Sequence, residues 1–402
     1  MANTLLTPTA ITREALSVLH QKLNFIGTIN RQYDSSFAVK GAKIGNSLNI
    51  RNPVQYEVTD GVTLVEQDTV HTNQTLTVSN RKHVGMNFTT EELTMDIDDF
   101  SRLHIEPAMS VLAAKVESDV LNQVVLDVHN QISNVGGGIT SKDIGRARKS
   151  LVDHLAPMGD QMYVLSNTED NLELVDQLKG EQNDAKKTSA QNLDGYMMRR
   201  GGFNFMESTH LSRFTSGTDD GTGDYLVNGA SQTGSTITVD TGAGTFKKGD
   251  IITLGVNRVH HETKVDTGEL MTFVVTADVS ASATSIPIAP EIITTGARQN
   301  VTASPADNAP VYKRESDHST AIGNAATHGM SLAYHRDAFT FATADLILPE
   351  AATWKAREVL DGISMRIVRD YRISSDDEPC RIDVLYGFKT LRPEWACRLA
   401  FD

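Results

Sequence analysis

The feature that most constrains the fold is a long helical pattern between residues 101 and 132. Apolar side chains recur there at three- and four-residue steps, as on one face of an α-helix, at Ile105, Ala108, Met109, Leu112, Val116, Val120, Val124, Val128 and Ile132. Pro107 suits the first turn, where its missing N–H costs nothing. The stretch from Pro107 to Ile132 predicts a helix of about 40 Å at 1.5 Å per residue. Such a helix is the structural backbone of a domain.

Two segments before this helix have too little apolar surface to be stable by themselves. Residues 9–33 predict an amphipathic helix that ends near Gly27 and must dock on its own chain or on a neighbouring one. Residues 40–88 alternate apolar and polar side chains and predict a projecting hairpin with a polar stretch from Glu66 to Gln74. An isolated hairpin is marginal in water, so we expect both segments to lean on sister chains. The spacing from Thr89 to Glu92 predicts a further short helix.

The rest of the chain changes from a mixed to an all-β pattern and back. Residues 140–178 predict a helix capped by Thr140 or Ser141, a strand at 162–165 and a helix opened by the spacing from Ser166 to Glu169. Residues 179–200 are polar and predict an exposed loop. Short strands between turn residues predict a small β-barrel or sandwich, inserted into a larger domain, at 216–315. The last part predicts a strand at 331–334, a short helix at 353–360 and three strands at 364–369, 381–386 and 394–399.

Length and charge restrict the class of protein. The 402 residues are too many for one simple core and predict two or three folding units. The formal net charge is -14, whereas proteins that grip nucleic acid usually carry Lys and Arg in excess. An acidic chain of this kind favours a container over a DNA clamp.

No catalytic or cofactor motif is found in the sequence. Nucleophile, P-loop and dinucleotide-binding patterns do not occur, so we expect neither enzyme activity nor a cofactor. His260, His261 and Glu262 are the best metal candidates, but neighbouring residues of a strand point to opposite faces, which favours solvated loop histidines. The acidic clusters at 219–220 and 376–378 lack the alternating ligands of a calcium loop.

The cysteines and the chain start indicate the compartment. Cys380 and Cys397 predict two free thiols in a reducing cytoplasm. The first residues show no signal-peptide pattern, and no apolar stretch is long enough to span a bilayer. We therefore expect a protein made in the cytoplasm that has no membrane partner.

Four stretches resemble the Hong Kong 97-type capsid proteins of tailed bacteriophages, and among them the P22-like coat proteins that carry an inserted β-domain. They are D-F-S-R-L-H-I-E-P-A at 99–108, G-F-N-F-M-E-S at 202–208, K-G-D-I-I-T-L-G-V-N at 248–257, and R-D-Y, R-I-D-V-L-Y-G and L-R-P-E at 369–371, 381–387 and 391–394. The order of the predicted parts is also similar to that family.

The resemblance implies an α+β, Hong Kong 97-type fold with a defined division of the chain. The parts are an N-terminal arm at 1–39, an E-loop hairpin arm at 40–88, a peripheral domain with the long spine helix at 89–138, the first part of an axial domain at 139–215, an inserted β-barrel at 216–318 and the return strands of the axial and peripheral domains at 319–402. The four stretches named above fall, in order, in the last four of these parts.

The resemblance also implies a function and partners. Identical subunits would form the hexamers and pentamers of an icosahedral head that encloses double-stranded DNA, which lies near the shell without specific recognition. A scaffolding protein and a portal protein would be partners, and the precursor shell would expand during maturation. The protein would reside in the virion after assembly in the host bacterial cytoplasm. Lys–Asn cross-links occur in some relatives, but no pair stands out in this sequence.

Four charged residues at the two ends of the hairpin arm are our candidates for salt bridges between subunits: Glu57, Asp60, Arg81 and Lys82. Simple solvation is an equal alternative, since exposed pairs contribute little. Two other functions remain open at the level of sequence. One is a β-rich receptor- or carbohydrate-binding tail or surface protein, and the other is a cytosolic enzyme with an unrecognised site.

Overall fold

The computed structural model describes residues 8–33, 47–59, 61–62, 64, 66–68, 71–89, 104–134, 137–177, 199–219, 224–313, 326–352, 354–360 and 362–401. The short helix predicted from Thr89 to Glu92 and nearly all of the loop predicted at 179–200 lie outside these residues. With 21% helix and 41% strand, the predicted α+β class is confirmed. The chain divides into two compact units, the first with Met1–Arg51, Asn73–Val120 and Phe339–Leu391, the second with Asn52–Thr72, Leu121–Ala338 and Arg392–Asp402. The six-part division stays a prediction.

The described elements are numbered along the chain. The helices are α1 (Pro8–Lys22), α2 (Phe25–Thr28), α3 (Glu106–Val124), α4 (Ser141–Asp153) and α5 (Thr168–Gln177). The strands are β1 (Asn30–Tyr33), β2 (Ser47–Arg51), β3 (Asn73–Thr77), β4 (Asn80–Thr89), β5 (Gln131–Ser133), β6 (Met162–Ser166), β7 (Asn204–Glu207), β8 (Phe214–Thr215), β9 (Leu226–Val227), β10 (Gly234–Asp240), β11 (Ile251–Val259), β12 (Asp266–Val275), β13 (Ser285–Ile292), β14 (Tyr312–Lys313), β15 (Thr327–His335), β16 (Phe339–Thr343), β17 (Trp354–Leu360), β18 (Ile363–Arg369), β19 (Asp377–Thr390) and β20 (Ala396–Phe401).

A six-stranded sheet forms the body of the first unit. Its order is β1-β16-β19-β18-β17, and β4 pairs with β19 as well. Helix α1 packs on β17 and β18 of this sheet through buried side chains at Ala15, Leu16 and Leu19. The apolar stripe of the predicted terminal helix thus docks on its own chain, and that this helix also leans on a sister chain stays a prediction. The helix also ends earlier than predicted, since α2 and β1 occupy the rest of residues 9–33.

The strands predicted as a projecting arm belong to the first unit. β4 pairs with β19 along its whole length, from Asn80 opposite Tyr386 to Thr89 opposite Asp377. β2 and β3 pair with each other, and Leu76 of β3 lies in a small core with side chains of β16 and β19. β4 therefore lies in the sheet of the first unit and not in a projecting hairpin. β2 and β3 form the antiparallel pair that their alternation predicts, and that this pair projects as an arm stays a prediction. The segment 52–72 that joins β2 to β3 contains no helix or strand in its described residues.

The long helix is present but shorter than the apolar pattern predicted. α3 has 19 residues, about 28 Å at 1.5 Å per residue. A 3-10 turn at Val125–Asp127 follows, and Val128 then adopts an extended conformation. Ile132 lies in β5, where it pairs with Leu399 of β20. Val128 and Ile132 are buried as the pattern requires, but they belong to coil and strand, which a helical period alone cannot reveal.

The prediction of a short helix at 353–360 is wrong. Trp354–Leu360 is strand β17, which pairs antiparallel with β18 over its full length, from Trp354 opposite Arg369 to Leu360 opposite Ile363. The alternation of Ala356 with charged neighbours suits either structure over so short a stretch. The long-range pairing with β18 decides in favour of the strand.

A second six-stranded sheet organises the other unit, with the order β5-β20-β15-β6-β7 and β8 on β15. α4 and α5 share its core through Ile144, Ala147, Leu151 and Leu174. Thr140 caps α4 as expected, because its Oγ1 accepts from the Asp143 amide at 3.3 Å and the Asp143 carboxylate accepts from the Thr140 amide at 3.0 Å. At α5 the cap is Asn167 and not Ser166, since Asn167 Oδ1 accepts from the Asp170 amide at 2.7 Å.

The all-β stretch forms a third six-stranded sheet, with the order β14-β11-β12-β13-β10-β9. Hydrogen bonds close it, because the Val227 amide donates to Ala309 O at 2.9 Å and the Val311 amide donates to Tyr225 O at 2.9 Å. The inside holds its own apolar core, which includes Tyr225, Phe246 and Phe273. We call residues 224–313 the barrel. Its status as a separate inserted domain with limits at 216 and 318 stays a prediction.

Candidate functional site

The segment 52–72 between β2 and β3 is the most unusual surface of the described residues. Tyr56, Val58, Val62 and Leu64 are all exposed, Val58 to 89% of its full area. The ends of the segment are joined, since the Asn52 amide donates to Thr72 O at 2.9 Å. Within it, the Glu57 amide donates to Gln67 Oε1 at 2.9 Å. Several exposed apolar side chains in one short segment are typical of a surface that another molecule covers.

The same segment carries charge of one sign. Residues 52–72 contain four carboxylates, at Glu57, Asp60, Glu66 and Asp68, and no Lys or Arg. Glu57 is exposed, whereas Asp60 lies outside the described residues. The described part of the segment therefore combines apolar and acidic side chains, which suits a partner surface with apolar and basic groups.

Arg81 takes part in an ion cluster on the sheet of the first unit. Asp383 on β19 is fully buried at the side chain, and three arginines reach it: Arg366 at 2.5 Å, Arg381 at 2.7 Å and Arg81 at 3.1 Å. Burial alone would raise the pKa of Asp383, but the hydrogen bonds from Arg366, Arg81 and Arg381 outweigh it and lower that pKa. Three guanidinium groups around one carboxylate leave positive charge on this part of the sheet.

Lys82 is held by the long helix. Its Nζ lies 2.7 Å from Asp119 Oδ2 on α3, and Lys115 Nζ lies 2.9 Å from Asp119 Oδ1. Burial opposes ionisation of Asp119, but hydrogen bonds from Lys82 and Lys115 prevail and lower its pKa. The ion pair between Lys82 and Asp119 links β4 to α3 within one chain.

The four residues predicted for subunit contacts are thus not brought together in one chain. Arg81 and Lys82 are adjacent on β4 and have partners there, in Asp383 and Asp119. Reasoning from sequence missed both of these carboxylates, because they lie far along the chain and nothing local marks them as partners. That Glu57, Asp60, Arg81 and Lys82 form bridges between subunits stays a prediction.

The structure adds no catalytic or metal constellation in the residues that it describes. No group of three or more His, Cys, Asp or Glu side chains in these residues is placed to hold a metal ion. His261 instead lies 3.0 Å from Gln55, between the ring Nε2 and the amide Nε2. Cys380 and Cys397 are free thiols and are buried. Within the described part of the chain, no helix has the length and apolar character needed to span a bilayer.

Comparison with known proteins identifies the family. The family model described as P22 coat protein, gene protein 5, matches residues 38–399. No curated protein matches the chain. Among solved structures, the capsid of Ralstonia phage GP4 is similar at 6% identity and a TM-score of 0.48, with 94% of this chain and 90% of that chain covered.

Two further solved structures are similar to the same extent. The cyanophage Pam1 capsid is 8% identical at a TM-score of 0.47 and covers 95% of this chain and 93% of its own. The structure from Mycobacterium phage Che8 is 12% identical at a TM-score of 0.45 and covers 94% of this chain and 90% of its own. Because the family model extends from residue 38 to residue 399, the chain belongs to the P22 coat protein family and is a major capsid protein that forms an icosahedral phage shell.

Proposed function

We propose that copies of this chain assemble as hexamers and pentamers, which tile the phage head around double-stranded DNA. The observation that carries this proposal is the segment 52–72, in which Val58, Val62 and Leu64 are exposed in the single chain. Covering such side chains in a shell removes apolar area from water at about 25 cal/mol per Å². Contacts of this kind are individually weak, but each subunit makes many of them.

We further propose that the acidic residues Glu57 and Asp60 of one subunit approach Arg81 and Lys82 of another. Arg81 is 42% exposed at its side chain and shares Asp383 with two other arginines, so its guanidinium group can donate to a second carboxylate. Lys82 is 35% exposed beside Asp119 and is also accessible. The charges of the segment 52–72 and of this part of β4 are complementary, which supports the pairing.

The remaining partners follow from the proposed role. A scaffolding protein guides the precursor shell and a portal protein occupies one vertex, both in the host bacterial cytoplasm, before the shell becomes part of the virion. The net charge of -14 is consistent with DNA that lies near the shell without being gripped by it.

Assembly is tested by negative-stain electron microscopy of the purified chain, alone and with a co-expressed scaffold. We expect closed shells from the wild-type protein, and fewer of them from the double variant Tyr56→Ser, Val58→Ser. Leu172→Ser on α5 removes a similarly exposed apolar side chain outside the segment and is the matched control. Full shell yield from the double variant would contradict the role of the segment, and a wild-type chain that stays monomeric with scaffold would contradict the function.

A further inference from the structure

One contact between the barrel and the rest of the second unit is a ring of four charged side chains, which we call the clasp: Lys149 and Asp153 on α4, Arg258 on β11 and Glu269 on β12. Lys149 Nζ lies 3.2 Å from Asp153 Oδ2 and is hydrogen-bonded to Glu269 as well. Arg258 Nη2 lies 2.9 Å from Glu269 Oε2 and 3.8 Å from Asp153 Oδ2. Two cations and two carboxylates therefore alternate around the ring and join a helix to the barrel.

The clasp is open to solvent on most of its members. Lys149 is 54% exposed at its side chain and Glu269 is 34% exposed, whereas Arg258 is 11% exposed. The hydrogen bond to Glu269 raises the pKa of Lys149. Burial opposes ionisation of Glu269, but hydrogen bonds from Lys149 and Arg258 lower its pKa overall. Salt screens exposed ion pairs of this kind.

A second attachment, which we call the pivot, is buried. Arg398 on β20 is fully buried, and its Nη2 donates to Gly249 O at 2.7 Å. A side chain at Gly249 would place its Cβ 2.6 Å from Leu126 Cδ2, so the chain passes very close to Leu126 here. Burial makes the pivot much less sensitive to salt than the clasp.

The two attachments lie at opposite ends of one strand. Gly249 lies two residues before the start of β11, and Arg258 is near the end of this strand, nine residues after Gly249. At about 3.3 Å per residue, an extended chain of this length spans up to about 30 Å. The end of β11 near Gly249 is thus held by a buried contact, whereas the end near Arg258 is held by ion pairs that are partly exposed. The second end can therefore detach while the first stays in place. We propose that the clasp opens while the pivot holds, so that the closed barrel swings about Arg398 and Gly249 as one body.

This swing has a use in a shell, and that use rests on the proposed function. In hexamers and pentamers the same sequence occupies positions with different neighbours. A barrel that swings on its subunit meets these neighbours without any change in the sheet that carries β20. The swing itself is a property of the single chain, so it can be tested on chains that have not assembled.

The test measures the distance between the barrel and α5 by pulsed electron–electron double resonance on the full-length chain. Spin labels are attached to Ser280→Cys in the barrel and Leu172→Cys on α5, both exposed positions, while the native Cys380 and Cys397 are buried. Lys149→Gln and Glu269→Gln break the clasp. Arg298→Gln is the control, because it breaks the ion pair with Glu291 at 3.1 Å within the barrel alone.

We expect one narrow distance at low salt for the wild-type chain and for Arg298→Gln, and a shifted, broader distribution for both clasp variants. The wild-type chain should show the same broadening when salt is raised from about 0.01 M to about 1 M, which shortens the Debye length from ~30 Å to ~3 Å. The salt series needs no substitution in the clasp, so it decides even where a clasp variant fails to fold. A distribution that stays narrow in the clasp variants and across the salt series would overturn the swing, whatever the chain does in assembly.

Discussion

Glu117 on α3 accepts two backbone hydrogen bonds from the start of α2, from the Asn24 amide at 2.8 Å and the Phe25 amide at 3.1 Å. The carboxylate is almost completely buried. An anion suits this position, because the first N–H groups of a helix have no partners inside the helix. Phe25 in turn packs on Phe339 at 5.7 Å between ring centroids. Glu117 thereby fixes the N-terminal segment to the long helix.

Replacement of Glu117 by Ala should therefore destabilise the first unit. The buried Phe25 N–H and the part-buried Asn24 N–H lose a charged acceptor, which costs up to about 6 kcal/mol at ~1–3 kcal/mol for each group. Glu117→Gln should cost less, because one acceptor oxygen remains. Thermal unfolding of the two variants measures the effect, with the exposed Gln123→Ala on the same helix as the control. Equal melting temperatures for Glu117→Ala and Gln123→Ala would show that the hydrogen bonds contribute nothing.

Gly387→Ala should be harmful for a steric reason. A Cβ at this position of β19 would lie 2.3 Å from Thr77 O, a backbone atom that cannot move aside by rotation of a side chain. We expect a loss of about 1–3 kcal/mol from overpacking. Gly85→Ala on the neighbouring strand β4 is the matched control, since nothing lies within 4 Å of its Cβ position. Urea unfolding measures the stability of both variants. The same urea midpoint for Gly387→Ala and Gly85→Ala would contradict the steric explanation.

Asp383 and its arginines should respond unequally to substitution. Asp383→Asn leaves three guanidinium groups without a charged partner, and breaking a buried ion pair in this way costs ~3–5 kcal/mol. Arg381→Gln removes a side chain that is 45% exposed, which should cost less than about 1 kcal/mol. Chemical denaturation of the two variants tests the difference. If Arg381→Gln were as damaging as Asp383→Asn, the buried carboxylate would not be the centre of this cluster.

Acid should destabilise the second unit through two buried imidazoles. Burial, with repulsion from His154, Arg398 and Arg258, lowers the pKa of His129 to about 3, and burial, with repulsion from Arg258, lowers the pKa of His154 to about 4. In the unfolded chain both bind protons below about pH 6.5. The unfolded state thus binds more protons between about pH 6.5 and about pH 4, and stability falls as pH falls, by ~1.4 kcal/mol per pH unit for each histidine.

The acid effect is measured as the slope of unfolding free energy against pH. His129→Leu removes one of the two imidazoles, so its slope in this range should be smaller than that of the wild-type chain by about one proton. Carboxylates titrate equally in both proteins and cancel in the comparison. The exposed His83→Gln in the first unit serves as the control. A His129→Leu slope identical to the wild-type slope would exclude His129 as a source of acid sensitivity.

Local patterns predicted the elements well where one chemistry dominates a stretch. Thr140, one of the two residues predicted to cap α4, does so, and the Thr- and Gly-rich stretch is the closed barrel. Patterns failed where a distant partner decides. Trp354–Leu360 is a strand because β18 lies beside it, and Ile132 leaves the helical pattern because β20 pairs with it.

The candidate assembly surface was less predictable than the fold. The acidic residues Glu57 and Asp60 were chosen from local sequence alone, as charged residues at one end of the predicted hairpin arm. Asp383 and Asp119 could not be found in this way, because sequence distance hides their approach to Arg81 and Lys82. The clasp is a further case, since Lys149 and Glu269 are 120 residues apart in the chain.

Thr215 on β8 and Thr327 on β15 are paired neighbours, and their hydroxyl oxygens lie 2.8 Å apart. The chain between them, more than a hundred residues long, therefore starts and finishes at almost the same point. A short glycine-containing linker could span that gap. The whole stretch could therefore be deleted, or replaced by another domain, while β8 and β15 keep their pairing. A graft at this site needs compatible ends and a substitute for the carbonyl at Gly249 to which Arg398 donates.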